Sequence, residues 1–535
     1  MSQPEALRNR LSGLTLAFVV VGVALRAIQY LAGVSQWLDE ILLSATVIAR
    51  PLGALLTEPL PFAQAPPRGV LLAEKLAELA FGDSDAALRA FSFASSLAAL
   101  LLFAGLARRL LRGMAQPAAV ALFATAAPLI SQAGQAKQYS SDVCAAVAVL
   151  WIAVELRARP PSARAALGAG LAGVAAVFFS QAASVMLAAA ACVLLIEALE
   201  DRARIPRLAA VVALWGAGIA ASTALITATV SSEHREYFLR YWAPGFPPRP
   251  LLQRETLLWP FRMLAGFFGS GGPASLCFPA PRAMLLLAAA GAIALIRGAP
   301  AVARLLLAPL AVALVAGFAR VYPFQDRVIL YLLPCLFLLL AAGMAWAAGL
   351  AGRLAGPLAP AALCVFLLAA AGGTLASPPP YRSEDLRPAL AFLRDHRRPG
   401  DRVYVYYGAL PQFHYYAARY GLGRGDFVDG ACHRSDTPGY WHDLEAFRGK
   451  GRFWLVMAHS VLRYHEKEDL LRYLDAAGVR LDALVVPPHG PQFMSSDLLD
   501  GAAVYLFELP PGKRPPEGLK PSVASGEADP RFRCE

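Results

Sequence analysis

The sequence predicts a polytopic α-helical membrane protein with about eleven transmembrane helices, followed by a small C-terminal α/β domain outside the membrane. Three observations lead there. The chain of 535 residues is 57% hydrophobic and only 16% charged, where a soluble chain carries roughly 25% charged residues, and its mean hydropathy is +0.49. Long apolar runs recur until about residue 376 and then stop. Basic residues in that region fall in short clusters between the apolar runs, so the net charge of +11 reads as a topology signal and not as a nucleic-acid footprint.

The first apolar segment, near 13–33, follows the basic stretch "MSQPEALRNR". It exceeds the 7–15 apolar residues of a signal peptide and is expected to stay as an uncleaved helix. Ten more segments follow near 88–107, 115–131, 140–156, 166–180, 184–199, 208–230, 283–297, 302–319, 327–348 and 355–376. With Arg8 and Arg10 inside, "RRLLR" (108–112), "RARPPSAR" (157–164), "DRARIPR" (201–207), Arg297 with Arg304, and Arg353 all fall on the same side, as the positive-inside rule asks. Basic loops flank 166–199 on both sides, so that run is expected to leave and return, turning at "SQAAS" (180–184). Five pieces are left for the outer face: 34–87, 132–141, 180–184, 231–282 and 320–326.

The first outer piece opens on "SQWLDEILLSATVIAR" (35–50), with adjacent carboxylates at Asp39 and Glu40. Ile41, Leu42, Ala45 and Ile48 follow at helical spacing, which suggests an amphipathic helix along the interface. Asp39 is then either the N-cap, with Glu40 a first-turn acid, or a general base or cation ligand; one residue can serve both ends. In "GQAKQYSSDV" (134–143) Lys137 stands beside Gln138, Tyr139 and Asp142. An ionisable group at membrane depth costs about 2.5–3.5 kcal/mol at a helix centre, so these are functional candidates; the plainer reading is a snorkelling Lys and a capping Asp. "ARVYPFQDRVILYLLP" (319–334) puts Arg320 and Arg327 outside against the charge rule, with Tyr322 between them. A phosphate would account for both arginines, as would an acid such as Asp326. "EHREYFLRYWAPGFPP" (233–248), with Tyr241 and Trp242, and "LLWPFRMLAGFFG" (257–269) read as interfacial helices carrying an aromatic belt with interleaved arginines.

From Tyr381 the periodicity changes. "SEDLRPALAFLRDH" reads as a helix capped by Ser383, "DRVYVYY" as a strand, "LPQFHYYAARYG" as a helix, "RFWLVMA" as a strand, "EKEDLLRYLDAAG" as a helix and "AAVYLFEL" as a strand. That alternation defines an α/β domain over 381–510, and the Pro- and charge-rich 511–535 reads as a disordered tail. "GLGRG" (421–425) is a poor dinucleotide signal, because no phosphate-binding helix follows it. Seven of the eight His lie in the domain without metal-type spacing, and the seven Cys show no CxxC. Cys277, Cys432 and Cys534 lie outside the apolar segments, leaving room for one disulfide. The only Asn is Asn9, so no N-glycosylation sequon exists. Arg and Ala dominance hints at a GC-rich bacterial genome.

Together these motifs resemble the bacterial GT-C fold glycosyltransferases: protein O-mannosyltransferases, lipid A aminoarabinose transferases and similar polyprenyl-phosphate-sugar enzymes. "LDE" (38–40), "FGDSDAALRAFS" (81–92), "KQYSSD" (137–142), the "YW…F.P" segment (241–247) and "YPFQDR" (322–327) carry the resemblance, in order across the membrane part. It implies residues 1–376 as the catalytic domain. It also implies transfer of a sugar from a polyprenyl-phosphate donor to an envelope glycan, lipid or protein on the outer face of a bacterial inner membrane. Asp39 would be the catalytic acid, supported by Glu40. Lys137, Gln138, Tyr139, Asp142, Tyr241 and Trp242 would line the donor and acceptor cavity. Arg327, with Arg320 and Tyr322, would take the lipid phosphate. No cofactor is certain; a divalent cation, Mg or Mn, would sit on Asp39, but "QAPPRG" (64–69) lacks the His common before such prolines, which puts metal dependence in doubt. Two other classes share some of these features: a non-catalytic polyprenyl-lipid carrier or flippase, and an envelope scaffold built on the C-terminal domain.

Overall fold

A computed structural model of the chain describes residues 3–62, 64–269, 276–278, 280–355, 365, 367, 372–434, 436–491, 500–516 and 518–522. Among them, seven helices are long and apolar enough to cross a membrane: Asn9–Leu31, Asp85–Leu110, Tyr139–Ala158, Arg202–Thr229, Pro281–Gly298, Pro300–Phe318 and Asp326–Arg353. Three shorter apolar helices, Ala115–Thr125, Ala163–Phe179 and Ala183–Ala198, match three further expected segments. The eleventh, 355–376, lies mostly outside the described residues. The chain divides into two compact units, one of Met1–Ala32, Thr46–Pro380 and Gly490–Gln492, the other of Gly33–Ala45, Tyr381–His489 and Phe493–Glu535.

In the helical unit the elements needed below are α1 (Gln3–Leu31), α2 (Leu38–Ala49, shared with the second unit), α3 (Leu52–Thr57), α4 (Arg68–Phe81), α5 (Asp85–Leu110), α6 (Ala115–Thr125), α7 (Ala127–Ala133), α8 (Tyr139–Ala158), α9 (Ala163–Phe179), α10 (Ala183–Ala198), α11 (Ile205–Thr229), α12 (Ser232–Tyr241), α13 (Arg254–Phe268), α14 (Pro281–Gly298), α15 (Pro300–Phe318) and α16 (Leu333–Ala355). The segment expected as one helix at 115–131 is broken at Ala126, which is extended at φ −66°, ψ 109°, because Pro128 near the start of α7 cannot continue a helix. The carbonyls freed by the break are taken up by side chains. Arg26, fully buried in α1, donates to Phe123 O at 3.2 Å and Ala124 O at 3.1 Å, and Thr374 Oγ1 donates to Thr125 O at 2.6 Å.

Small residues set the helix crossings. A Cβ on Gly291 of α14 would lie 1.9 Å from Leu339 O, and one on Gly343 of α16 would lie 1.8 Å from Leu287 O, so two backbones touch there. Gly173 likewise admits the ring of Trp215, whose Nε1 donates to Ala169 O at 3.0 Å, joining α9 to α11.

The basic loops gather at one end of this unit. Glu197 accepts Arg157 Nη2 at 3.0 Å and Arg304 Nη2 at 2.8 Å, Arg204 Nη2 donates to Arg157 O at 3.0 Å, and Arg207 Nη1 donates to Pro161 O at 3.0 Å. Arg109 pairs with Glu155. The polar tip at Tyr139 lies at the other end of α8, 20 residues away, or about 30 Å at 1.5 Å per residue.

The second unit holds a five-stranded sheet in the order β2-β1-β3-β5-β4, with β1 (Arg402–Val405), β2 (Phe427–Asp429), β3 (Arg452–Met457), β4 (Val479–Val486) and β5 (Ala502–Glu508). β1 runs parallel to β2 and β3, while β5 is antiparallel to β3 and β4. α17 (Leu386–His396) and α18 (Leu410–Tyr416) cover one face, and α19 (Thr437–Glu445) and α20 (Glu466–Ala477) cover the other. Sequence pattern missed β2 and β4. The first is three residues long, and the second is an exposed edge strand that starts straight after α20. The helix expected to be capped by Ser383 starts at Leu386 instead, and Asp385 stands at its cap without a side-chain capping bond. Residues just past Pro510 lie against the domain: Lys513 Nζ donates to Gly478 O at 2.5 Å, and Ser522 Oγ to Asp469 Oδ1 at 2.6 Å. Cys432 is disulfide-bonded.

Candidate active site

In the helical unit three of the segments between apolar helices meet around the α7–α8 turn. Lys137 is 5% exposed; its ammonium donates to Gln64 Oε1 at 2.7 Å, and its carbonyl accepts Ser92 Oγ at 2.8 Å. Asp142 does not cap α8: Gln138 holds the cap position without a side-chain bond, and the Asp142 carboxylate accepts Ser180 Oγ at 2.6 Å. Ser180 in turn accepts Ala183 N at 3.1 Å, so one hydroxyl ties the carboxylate to the start of α10. Ser141 Oγ donates to Phe179 O at 3.0 Å, and Gln181 Nε2 to Ala65 O at 2.8 Å. The turn at 180–184, read from sequence only as a reversal, thus supplies the partner that fixes Asp142.

Two further connecting segments join this cluster. Phe324 N donates to Gly245 O at 2.7 Å, which docks the 320–327 turn on the end of the loop after α12. The Arg327 guanidinium then lies over two rings, 5.6 Å from the centre of Tyr139 and 6.0 Å from that of Trp242. Such stacking holds a planar cation in one orientation at modest cost in desolvation. Tyr322 meets Tyr331 edge to face at 5.9 Å and donates to Val328 O at 3.1 Å. Burial, and after it the neighbouring Asp142 carboxylate with Tyr331 and Tyr139, pushes the Tyr322 phenol well above its ordinary value, so it stays protonated. The Tyr331 hydroxyl is buried and, among the described residues, has no hydrogen-bond partner.

The remaining predicted residues are placed differently. Tyr241 stacks on Tyr237 at 5.9 Å and meets Trp242 edge to face at 5.1 Å, as part of the aromatic run of α12. Arg320 has a left-handed backbone (φ 57°), and its guanidinium packs over Phe246 at 5.3 Å. Tyr139, Asp142, Trp242, Tyr322 and Arg327 therefore form one assembly of an anchored carboxyl group, a stacked cation and the protonated phenol of Tyr322.

Asp39 and Glu40 belong to the second unit. α2 begins at Leu38, so Asp39 is its second residue and Glu40 its third. The acid that supports the helix start is Glu40, 1% exposed, whose Oε2 accepts Trp37 N at 3.4 Å in the back-bonding half of a capping box. Asp39 is half-buried in the same turn. Ile41, expected at the membrane interface, is 2% exposed and packs in the α/β core with Leu386, Leu390 and Phe413. Among the described residues no group of three or more His, Cys, Asp or Glu is placed to hold a metal ion.

No family model and no curated protein matches the sequence. Among solved structures, the archaeal oligosaccharyltransferase AglB from Archaeoglobus fulgidus, in complex with an inhibitory peptide and a dolichol-phosphate, aligns with 88% of this chain and 73% of that one, at 12% identity and a TM-score of 0.47. ArnT from Cupriavidus metallidurans in the apo state aligns with 92% of this chain and 98% of that one, at 12% identity and a TM-score of 0.46. The same ArnT bound to undecaprenyl phosphate aligns over the same shares at 13% identity and a TM-score of 0.44. Both of these neighbours are GT-C fold glycosyltransferases.

Proposed function

We propose that the protein is an integral membrane glycosyltransferase that moves a sugar from a polyprenyl-phosphate donor to an acceptor hydroxyl on the extracytoplasmic face. The observation that carries this reading is Arg327 held over Tyr139 and Trp242, with Tyr322 and Asp142 beside it. This group lies at the end of α8 away from the clustered basic loops. If those loops are cytoplasmic, the cation faces the outer compartment. A disulfide at Cys432 suits an oxidising location for the α/β unit.

In the proposed reaction the acceptor oxygen attacks the anomeric carbon, the bond from that carbon to the phosphate oxygen breaks, and polyprenyl phosphate departs with the bonding pair. Negative charge grows on the phosphate, where a fixed guanidinium stabilises it more than it stabilises the ground state. The acceptor proton passes to a carboxylate, for which Asp39 is the candidate; Glu40 is committed to the helix start. The reading is tested with purified protein, labelled lipid-linked sugar and membrane extract. Asp39→Asn should transfer at least about a hundredfold more slowly while the protein still binds the lipid donor.

A further inference from the structure

The acid-bearing turn is joined by direct hydrogen bonds to residues some 350 positions further along the chain. Ser35 N and Ser35 Oγ both donate to Asp385 Oδ1, at 3.0 and 2.6 Å, across 350 residues of sequence. Ser35 Oγ also accepts Arg387 N at 2.9 Å, and Arg387 Nη1 donates to Gly33 O at 2.9 Å. One residue on, Gln36 N donates to Tyr416 Oη at 2.8 Å. Ser35, Gln36 and Ile41 are 3%, 0% and 2% exposed, and Asp385 is 8% exposed, so the Ser35–Asp385 and Gln36–Tyr416 bonds are shielded from competing water. The same residues continue inward. Glu384, beside Asp385, accepts Gln412 Nε2 at 2.8 Å, and its other oxygen lies 2.7 Å from His459 Nδ1 at the end of β3. Gln412 sits one helical turn before Tyr416 on α18.

We infer that Asp385 and Tyr416 are positioning residues, which fix the turn carrying Asp39 to the α/β unit so that this unit is the carrier of the acid. The cap geometry of α17 supports this. Asp385 occupies the cap position yet makes no capping bond, because its carboxylate is directed to Ser35; the Ser35 hydroxyl instead accepts the first-turn Arg387 N. Two donors converging on one carboxylate oxygen define a direction as well as a distance. Proton transfer needs its carboxylate held to sub-ångström tolerance, and these bonds fix the backbone from which Asp39 projects. The inference rests on the transferase reading for what the acid does, but the anchor itself is independent of it.

The test uses the full chain in lipid nanodiscs. Amide hydrogen exchange over residues 33–45 and transfer kinetics are measured for Asp385→Ala, Asp385→Asn and Tyr416→Phe. Asn keeps an Oδ1 acceptor for both Ser35 donors, so Asp385→Asn should behave like the parent protein. Asp385→Ala should speed exchange at 33–45 and lower kcat about tenfold or more, with the donor KM unchanged and protection elsewhere retained. Tyr416→Phe should show the same pattern more weakly. Unchanged protection at 33–45 in Asp385→Ala, or lost protection with the parental kcat, overturns the inference, as does an Asp385→Asn variant as impaired as the alanine. The exchange readout judges the anchor alone, whereas transfer by Asp39→Asn judges the reaction; an active Asp39→Asn with a sensitive anchor would overturn the latter only.

Discussion

Arg327 shows most clearly how a side chain's job depends on what surrounds it. On an exposed loop it would be a screened charge of little consequence. Over Tyr139 and Trp242 it is held in one plane at the polar end of α8. Replacing it with Ala should slow transfer about a hundredfold, and Lys should recover only part of that, since an ammonium neither stacks nor presents a planar fork. Steady-state rates with saturating lipid donor check this. Much at this scale was legible in the sequence. An arginine in a short loop assigned to the side opposite the basic clusters and a lysine in an arginine-rich chain are anomalies that a single sequence displays. The partners were not legible: Ser180 and Gln64 look like any loop residues, and only folding brings them to Asp142 and Lys137. The split between the adjacent acids was also hidden, because it depends on where α2 starts. A start at Leu38 makes Glu40 the capping acid.

Helices were read from hydropathy, and hydropathy reports length and apolarity but not breaks or contacts. It ran 115–131 together although Pro128 stood in plain view, since an apolar proline does not lower the average. It also could not say which glycines are crossings. Gly291 and Gly343 face backbone carbonyls at under 2 Å from a built Cβ, whereas Gly13 and Gly298 have nothing within 4 Å. Gly291→Ala should therefore force α14 and α16 apart and destabilise the helical unit by about 1–3 kcal/mol, while Gly298→Ala should be nearly silent. Thermal unfolding of both variants in detergent distinguishes them. Strands were harder: β3 and β5 announce themselves as apolar runs, but β4 alternates weakly at an edge and β2 is too short to carry a period.

For the whole molecule, the polytopic helical fold was the most legible feature, because long apolar runs stand out independently of tertiary contacts. Of the loops assigned to one side, those carrying Arg157, Arg204 and Arg304 meet, through Glu197 and the carbonyl of Arg157. Least legible was the membership of Gly33–Ala45 in the C-terminal unit, since no local pattern encodes a bond spanning 350 residues. That unit also has its own acid stability. Hydrogen bonding from Arg448, supported by Tyr473, lowers the Glu445 carboxyl to about 2. Its pKa is depressed on folding, so its contribution is full above the unfolded value of about 4.3 and is lost as pH falls toward 2. Glu445→Gln should flatten the decline in stability of the α/β unit between those limits, as followed by Trp fluorescence. The central claim, that Asp39 takes the acceptor proton in a sugar transfer from a lipid phosphate, is tested most directly by single-turnover transfer with Asp39→Asn in nanodiscs preloaded with labelled donor. The account predicts a folded, donor-loaded protein with transfer slowed at least about a hundredfold. Transfer at the parental rate would contradict it.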